Sequence, residues 1–274
     1  MSESNHADYA AIDAVNWSSL KHMRESPLVY RHRLTCGYDD TPALAMGRVT
    51  HTLVFEPEKF AAEYAIWEDG DRRGKAYAEF VEANAGKTIF KPKEIDTAVA
   101  MADAVRSHPL VQPYLDDGLF EHSIRWTDPE TGLPCKARPD WIIPSTRTLI
   151  DLKTCQSAEG RRFGSAAARY CYHMQMSMYV NAITYGLGWA PNEVKIIAVE
   201  KDAPHEVAIF HVPEDDLYLA AEEVAALLRM VKVCRQTNTW PGRYLEEQAL
   251  RLPAWVSMED DEDPESLGLT IGGK

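Results

Sequence analysis

A chain of 274 residues, 45% of them hydrophobic, can bury a sizeable core, which excludes a small disulfide-stapled scaffold. Its formal net charge of −13 excludes a uniformly basic nucleic-acid-binding surface but not a local basic channel, since acidity and basicity can be segregated on one molecule. The five cysteines (Cys36, Cys135, Cys155, Cys171, Cys234) are odd in number, lack C-x-x-C spacing and form no zinc or iron–sulfur ligand set; with no leader-like or membrane-spanning run, the reading is a soluble protein of a reducing cytoplasm.

In chain order, Asn16–Pro27 reads as a short helix with a serine N-cap and a proline exit, followed by a second short helix over 28–34 and a loop at 37–42. Residues 43–55 carry helical spacing of Leu44, Val49, Leu53 and Val54 and end before Pro57. His51 lies in this helix, one turn after Gly47, which removes bulk from the same face and permits close approach of a sheet or substrate. A lone helical histidine is more often packed or solvated than a ligand. A strand at 64–67, a basic loop at 70–74 and helices at 75–85 and 92–107 follow, with no chemistry assigned to them.

Residues 119–126, 133–143 and 148–155 read as a meander of three antiparallel strands, joined by turns at Asp128–Gly132 and Pro144–Arg147. Side chains alternate along a strand, so Asp151 and Lys153 share a face while Ile150 and Leu152 share the other. Asp140 on the neighbouring strand brings a second carboxylate to the same place, and Glu121 can reach it from the first strand or stay a plain exposed acid. Two buried acids repel unless a cation lies between them. Hard oxygen ligands suit Mg²⁺, with Mn²⁺ as a substitute, and His51 can complete such a site. Lys153 beside the ion can orient or deprotonate a water or neutralise phosphate charge. An ordinary surface hairpin with an Asp–Lys pair is the bland alternative.

Residues 157–169 are partly helical and carry Arg161, Arg162 and Arg169. A long helix over 170–183 then places Tyr172, Gln175, Tyr179 and Ile183 near one face, with Gln175 and Tyr179 one turn apart and His173 beside them. Strands at 194–199 and 207–212 and a helix at 214–235 complete the core. The division expected is one domain over 1–256 and an acidic, mobile, solubilising tail over 257–274.

The set Gly47-x-x-x-His51, Arg138-Pro139-Asp140, Asp151-Leu152-Lys153-Thr154 and Gln175-x-x-x-Tyr179 resembles the PD-(D/E)-x-K nuclease superfamily in its RecB-like branch. Ser18-Ser19-Leu20-Lys21, the run from Asp128 through Cys135-Lys136 to Asp140, and Tyr172-His173-x-Gln175 are similar to the nuclease domain of RecE-type exonucleases over residues 16–245. The resemblance implies an α/β fold with a restriction-endonuclease-like core, a central mixed β-sheet flanked by helices. It implies that His51, Asp140, Asp151 and the Leu152 carbonyl hold the metal, that Lys153 is the catalytic lysine, and that Gln175 and Tyr179 hold DNA near the scissile phosphate. Arg138, Arg161, Arg162, Arg169 and His173 are candidate DNA contacts. The activity implied is 5′ to 3′ degradation of one strand at double-stranded DNA ends. It leaves a 3′ overhang for a single-strand annealing partner in recombination, in a bacterial or phage-infected cell, from a ring-like homotetramer. A CRISPR-associated RecB-like nuclease would carry four cysteines, most near the C-terminus, where only Cys234 stands. A non-catalytic DNA-end-binding protein on the same fold would have lost one of Asp140, Asp151 and Lys153.

Overall fold

The computed structural model describes residues 9, 11–37, 40–115 and 117–253; the expected acidic tail, and Tyr38 and Asp39 of the expected 37–42 loop, lie outside them. The first helices begin where short polar side chains take up their orphan amides. Asn16 accepts from the Ser19 N–H at the start of α1 (Trp17–Leu20), so the asparagine is the cap rather than a serine. Ser26 caps α2 (Pro27–Cys36), in which Pro27 occupies the first helical turn instead of ending the preceding helix. Thr41 caps α3 (Pro42–Phe55), again with a proline at the start. A short α4 (Phe60–Glu63) leads into β1 (Tyr64–Ile66), and α5 (Gly74–Ala83) leads into β2 (Thr88–Phe90). The last is a strand the sequence did not announce, and it pairs in parallel with β1 as a small sheet of its own. α6 (Pro92–Ser107) follows, with Glu94 accepting from the Lys91 N–H at its start.

The main sheet is mixed and five-stranded, in the order β3-β6-β7-β8-β9. Its members are β3 (Leu119–Phe120), β6 (Trp141–Ile143), β7 (Thr148–Cys155), β8 (Glu193–Glu200) and β9 (Val207–His211). Only β7 and β8 run parallel, and their crossover contains α7 (Gly160–Tyr170) and α8 (Tyr172–Ala182). α9 (Glu214–Thr237) follows β9 and packs on α8.

The alternation along β7 divides the core. Ile150 and Leu152 join Trp141, Ile143, Ile197 and Val199 beneath α3 and α6. Leu149, with Ile196 and Ala198, joins the methionines of α8 and the apolar face of α9 on the other side. Asp151 belongs by alternation to the α8 side and is fully buried there.

The expected three-stranded meander is corrected. The segments 119–126 and 133–143 each divide in two: β4 (Ile124–Thr127) and β5 (Pro134–Ala137) form a separate antiparallel pair, while β3 and β6 stay in the main sheet. Two local causes break the strands. Glu121 takes a left-handed φ of 46°, which turns the chain away after β3, and Pro139 offers no amide for a ladder between β5 and β6. The expected helix over 170–183 is likewise displaced. Cys171, at φ 58° and ψ 44°, separates α7 from α8, and α8 runs on into a π-helical turn at Ile183–Leu187.

Candidate active site

The breaks in the meander are what assemble the site. Because β6 begins only at Trp141, the Leu152 amide on β7 lacks a strand partner on that side, and the Asp140 carboxylate accepts its proton at 2.7 Å. The Asp140 carbonyl accepts the Glu121 N–H at 2.9 Å, so Glu121 and Asp140 emerge side by side from the end of the β3/β6 pair. α3 delivers His51 to them: its Nδ1 lies 3.4 Å from Asp140 Oδ2 and 3.9 Å from Glu121 Oε1. Arg138, just ahead of the proline break, places Nε 3.0 Å from the other Glu121 oxygen. One ligand atom from each of His51, Glu121 and Asp140 lies within 4.8 Å of the others.

Asp151 is not one of that trio and meets Lys153 instead, whose Nζ is 2.5 Å from Oδ2. This contact is an ion pair by distance, yet among the described residues neither Asp151 oxygen has a well-aligned hydrogen bond. The Lys153 ammonium also lies 5.0 Å from the ring centroid of Tyr172, at the start of α8. Further along that helix, Gln175 Nε2 donates to Tyr179 Oη at 2.8 Å, which leaves the phenol proton to be given elsewhere.

Burial and like charge set the protonation of these groups. Burial and the neighbouring Asp140 push the Asp151 carboxyl up to about 6, and burial also raises Asp140. Burial opposes a charge on His51, but the carboxylates of Asp140 and Glu121 outweigh it and carry the imidazole up to about 9. Lys153 resolves the same way: burial would lower it, and Asp151 with Asp140 raise it. Without an ion beside it, it is therefore an ammonium, suited to neutralising phosphate charge. Tyr179 stands well above the ordinary phenol range through burial and the charges of Asp151 and Asp140.

A divalent cation fits these residues. The donors are hard carboxylate oxygens plus one imidazole whose proton the ion would replace, and the buried Asp151 carboxylate lacks aligned hydrogen-bond donors among the described residues.

The other sequence candidates lie differently. Leu152 contributes its amide to Asp140 while its side chain is buried in the α3/α6 core. Arg161 and Arg162 are exposed on α7, their backbone amides capped by Glu159, and Arg169 is exposed with its guanidinium 5.7 Å from the Tyr170 ring. His173 is half-buried on α8. None of these four side chains touches the acidic group among the contacts of the described residues. Gly47 gives less room than expected to explain: a Cβ there would meet Thr154 Oγ1 at an ordinary 3.8 Å.

Two neighbours have no role assigned by the sequence, although Lys21 stands in the Ser18–Lys21 stretch that carries the resemblance. Tyr9 returns to the site, its backbone carbonyl held by the Lys136 ammonium at 2.8 Å and its phenol pushed up to about 12 by burial, with Arg138 and Glu121 among the charges acting on it. Lys21 is depressed by burial and then by Lys153, which places it beside the catalytic lysine candidate. Both contacts join residues more than a hundred positions apart, and no local pattern signals them.

A family model described as a PDDEXK-like domain of unknown function, DUF3799, matches residues 16–252. The chain belongs to this family. The PDDEXK-like fold is also that of a solved structure of a candidate exonuclease from Eubacterium rectale: the TM-score is 0.64 at 15% identity, over 96% of this chain and 100% of the other. A phage-related exonuclease from Haemophilus somnus is a fainter likeness, with a TM-score of 0.38 at 12% identity over 82% of this chain and 96% of the other. No curated protein matches the sequence significantly. The expected superfamily, and the expected mixed sheet flanked by helices, are therefore met.

Proposed function

We propose that this PDDEXK-like protein is a Mg²⁺-dependent deoxyribonuclease acting at double-stranded DNA ends, degrading 5′ to 3′ in the manner of RecE-type exonucleases. The observation that carries the reading is the His51–Asp140 pair, from α3 and the residue just before β6, beside the Asp151–Lys153 pair of β7, the two linked by the Leu152 amide that donates to Asp140, within a PDDEXK-like fold. His51, Asp140, Asp151 and the Leu152 carbonyl would hold the metal. When bound, such an ion supplies Lewis-acid stabilisation of the phosphate and a more acidic attacking water. Lys153, held by Asp151 and the Tyr172 ring, puts a fixed positive charge where negative charge grows on the phosphate. Gln175 orients Tyr179 so that its phenol donates toward the substrate. Arg161, Arg162 and Arg169 on α7 and His173 on α8 would serve as phosphate contacts. A 3′ overhang left for an annealing partner, and a ring-like oligomer, belong to the same reading and rest on the resemblance alone.

The test is linear duplex DNA labelled at the 5′ or the 3′ end, with and without Mg²⁺, beside a covalently closed circle. The expected result is Mg²⁺-dependent loss of the 5′ label as small products, retention of the 3′ label on long single strands, and a circle left intact. Asp151→Asn should abolish release. Residual cleavage by that variant at a tenth of the native rate or more would reject the site, and binding of ends without cleavage would favour a non-catalytic end-binding protein.

A further inference from the structure

We propose that Glu121 is an additional ligand of the divalent ion and that Arg138 is the positioning residue that holds it there. The existence of the ion rests on the nuclease reading; the choice of ligand stands on the geometry. Donors bound at about 2.1 Å to one Mg²⁺ ion are roughly 3.0 Å apart when adjacent and roughly 4.2 Å apart when opposite. His51 Nδ1 is 3.4 Å from Asp140 and 3.9 Å from Glu121, between those two separations, and the three ligand atoms lie within 4.8 Å of one another, so an ion replacing the imidazolium proton needs only a small contraction of the trio. Asp151, the second of the two acids in the superfamily motif, lies outside the trio.

Three features fix Glu121 in place. Its amide is tied to the Asp140 carbonyl at 2.9 Å, so the two acids move together. Its backbone is left-handed at φ 46°, a conformation uncommon for a residue other than glycine, and it turns the chain away after Phe120. Arg138 Nε lies 3.0 Å from Oε2, an ion pair by distance without an aligned hydrogen bond, and leaves Oε1 on the His51 side. With only 12% of its side chain exposed, Arg138 is committed inward, and its part in the site is to aim Glu121 rather than to grip DNA. The alternative is a plain Arg–Glu ion pair beside the metal, and the two differ in what binding should show.

Mn²⁺ binding to the full chain without DNA, followed by calorimetry and by the thermal shift the ion produces, separates them. Glu121→Gln should weaken Mn²⁺ by at least about tenfold, and Arg138→Met by about tenfold, the scale seen when a group that orients a ligand is removed. The double variant should bind no more weakly than Glu121→Gln alone, because Arg138 acts only through the carboxylate. Glu193→Gln, at an exposed pair with Lys195, should leave the affinity unchanged. Melting in chelator shows whether each variant is folded, and Glu121→Gln should melt there near the native protein while losing most of the Mn²⁺-induced shift. Native-like Mn²⁺ affinity in Glu121→Gln would overturn the proposal while leaving the nuclease reading intact. Additive losses in the double variant would overturn the role of Arg138. A native protein that binds no Mn²⁺ would remove both the ligand and the metal-dependent reading.

Discussion

Lys153 and Asp151 show how far a single residue's role can be read from its charge environment. Asp151 is fully buried next to a second buried acid, and Lys153 is the cation that compensates it at 2.5 Å. Removing one partner of such a pair costs about 3–5 kcal/mol, whereas removing both is far cheaper. Lys153→Met should therefore lower the stability of the metal-free protein by an amount at the low end of that range, since Asp151 can relax by taking up a proton. Adding Asp151→Asn should restore most of the loss. Denaturant melts in chelator check this, and a double variant no more stable than Lys153→Met would mean that the pair does not carry the compensation. The cysteines give a second expectation. Cys36 is exposed, whereas burial pushes the Cys135 thiol up to about 12 and the Cys155 thiol up to about 11. Alkylation at pH 8 followed by peptide mapping should label Cys36 first and leave Cys135 untouched until the protein unfolds. At this scale the sequence was informative where the physics is local: strand alternation alone put Asp151 and Lys153 on one face. It was silent on which acid faces His51, because the direction of Glu121 depends on a left-handed backbone that no side-chain pattern encodes.

The elements were legible wherever a cap or a period marked them, as for α3, α6, β7 and β8, and illegible at strand breaks. Both halves of the split meander keep apolar alternation, so periodicity continues across Glu121 and Pro139 although the ladder does not. Gly118 explains how β3 is nonetheless seated. A Cβ there would lie 2.6 Å from Trp141 Nε1 and 2.7 Å from the Ile142 carbonyl, and its φ of 119° is open to glycine alone. The neighbouring Asp117 carbonyl accepts from the Trp141 indole at 3.0 Å, so this approach docks β3 on β6 and sets the height from which Glu121 reaches His51. Gly118→Ala should destabilise the fold by about 2 kcal/mol or more, combining backbone strain with overpacking. Gly47→Ala, whose added methyl meets only an ordinary contact, should keep or gain up to about 1 kcal/mol through helix propensity. Chemical denaturation of the two variants side by side is the measurement, and an equal response would show that close approach at Gly118 is not what seats β3.

For the whole molecule, a net charge of −13 and a polyanionic substrate have to be reconciled, and the reconciliation is spatial. Acidic residues gather at the start of α9, with Glu214, Asp215 and Asp216 in its first turn, and the sequence adds an acidic run at 258–265, outside the described residues. Basic residues from distant parts of the chain gather beside the proposed cleavage site. Lys21 is close enough to Lys153 to be depressed by it, and Arg24 donates to the Cys171 thiol at the junction of α7 and α8. Arg161, Arg162 and Arg169 lie on the helix that ends at this junction. Positive charge so focused should attract DNA against the field of the molecule as a whole. If three or four phosphates are neutralised, binding should fall with a log–log salt slope of about −2.7 to −3.6, that is about 40- to 150-fold between 50 and 200 mM salt. Fluorescence anisotropy of a labelled duplex end with the inactive Asp151→Asn variant measures it. Lys21→Ala should then reduce the slope by about one phosphate contact, while Glu193→Gln leaves it unchanged. A slope near zero in the parent variant would mean that no basic channel offsets the acidic surface, and DNA would then be excluded as the substrate of this site even if the metal centre itself were intact.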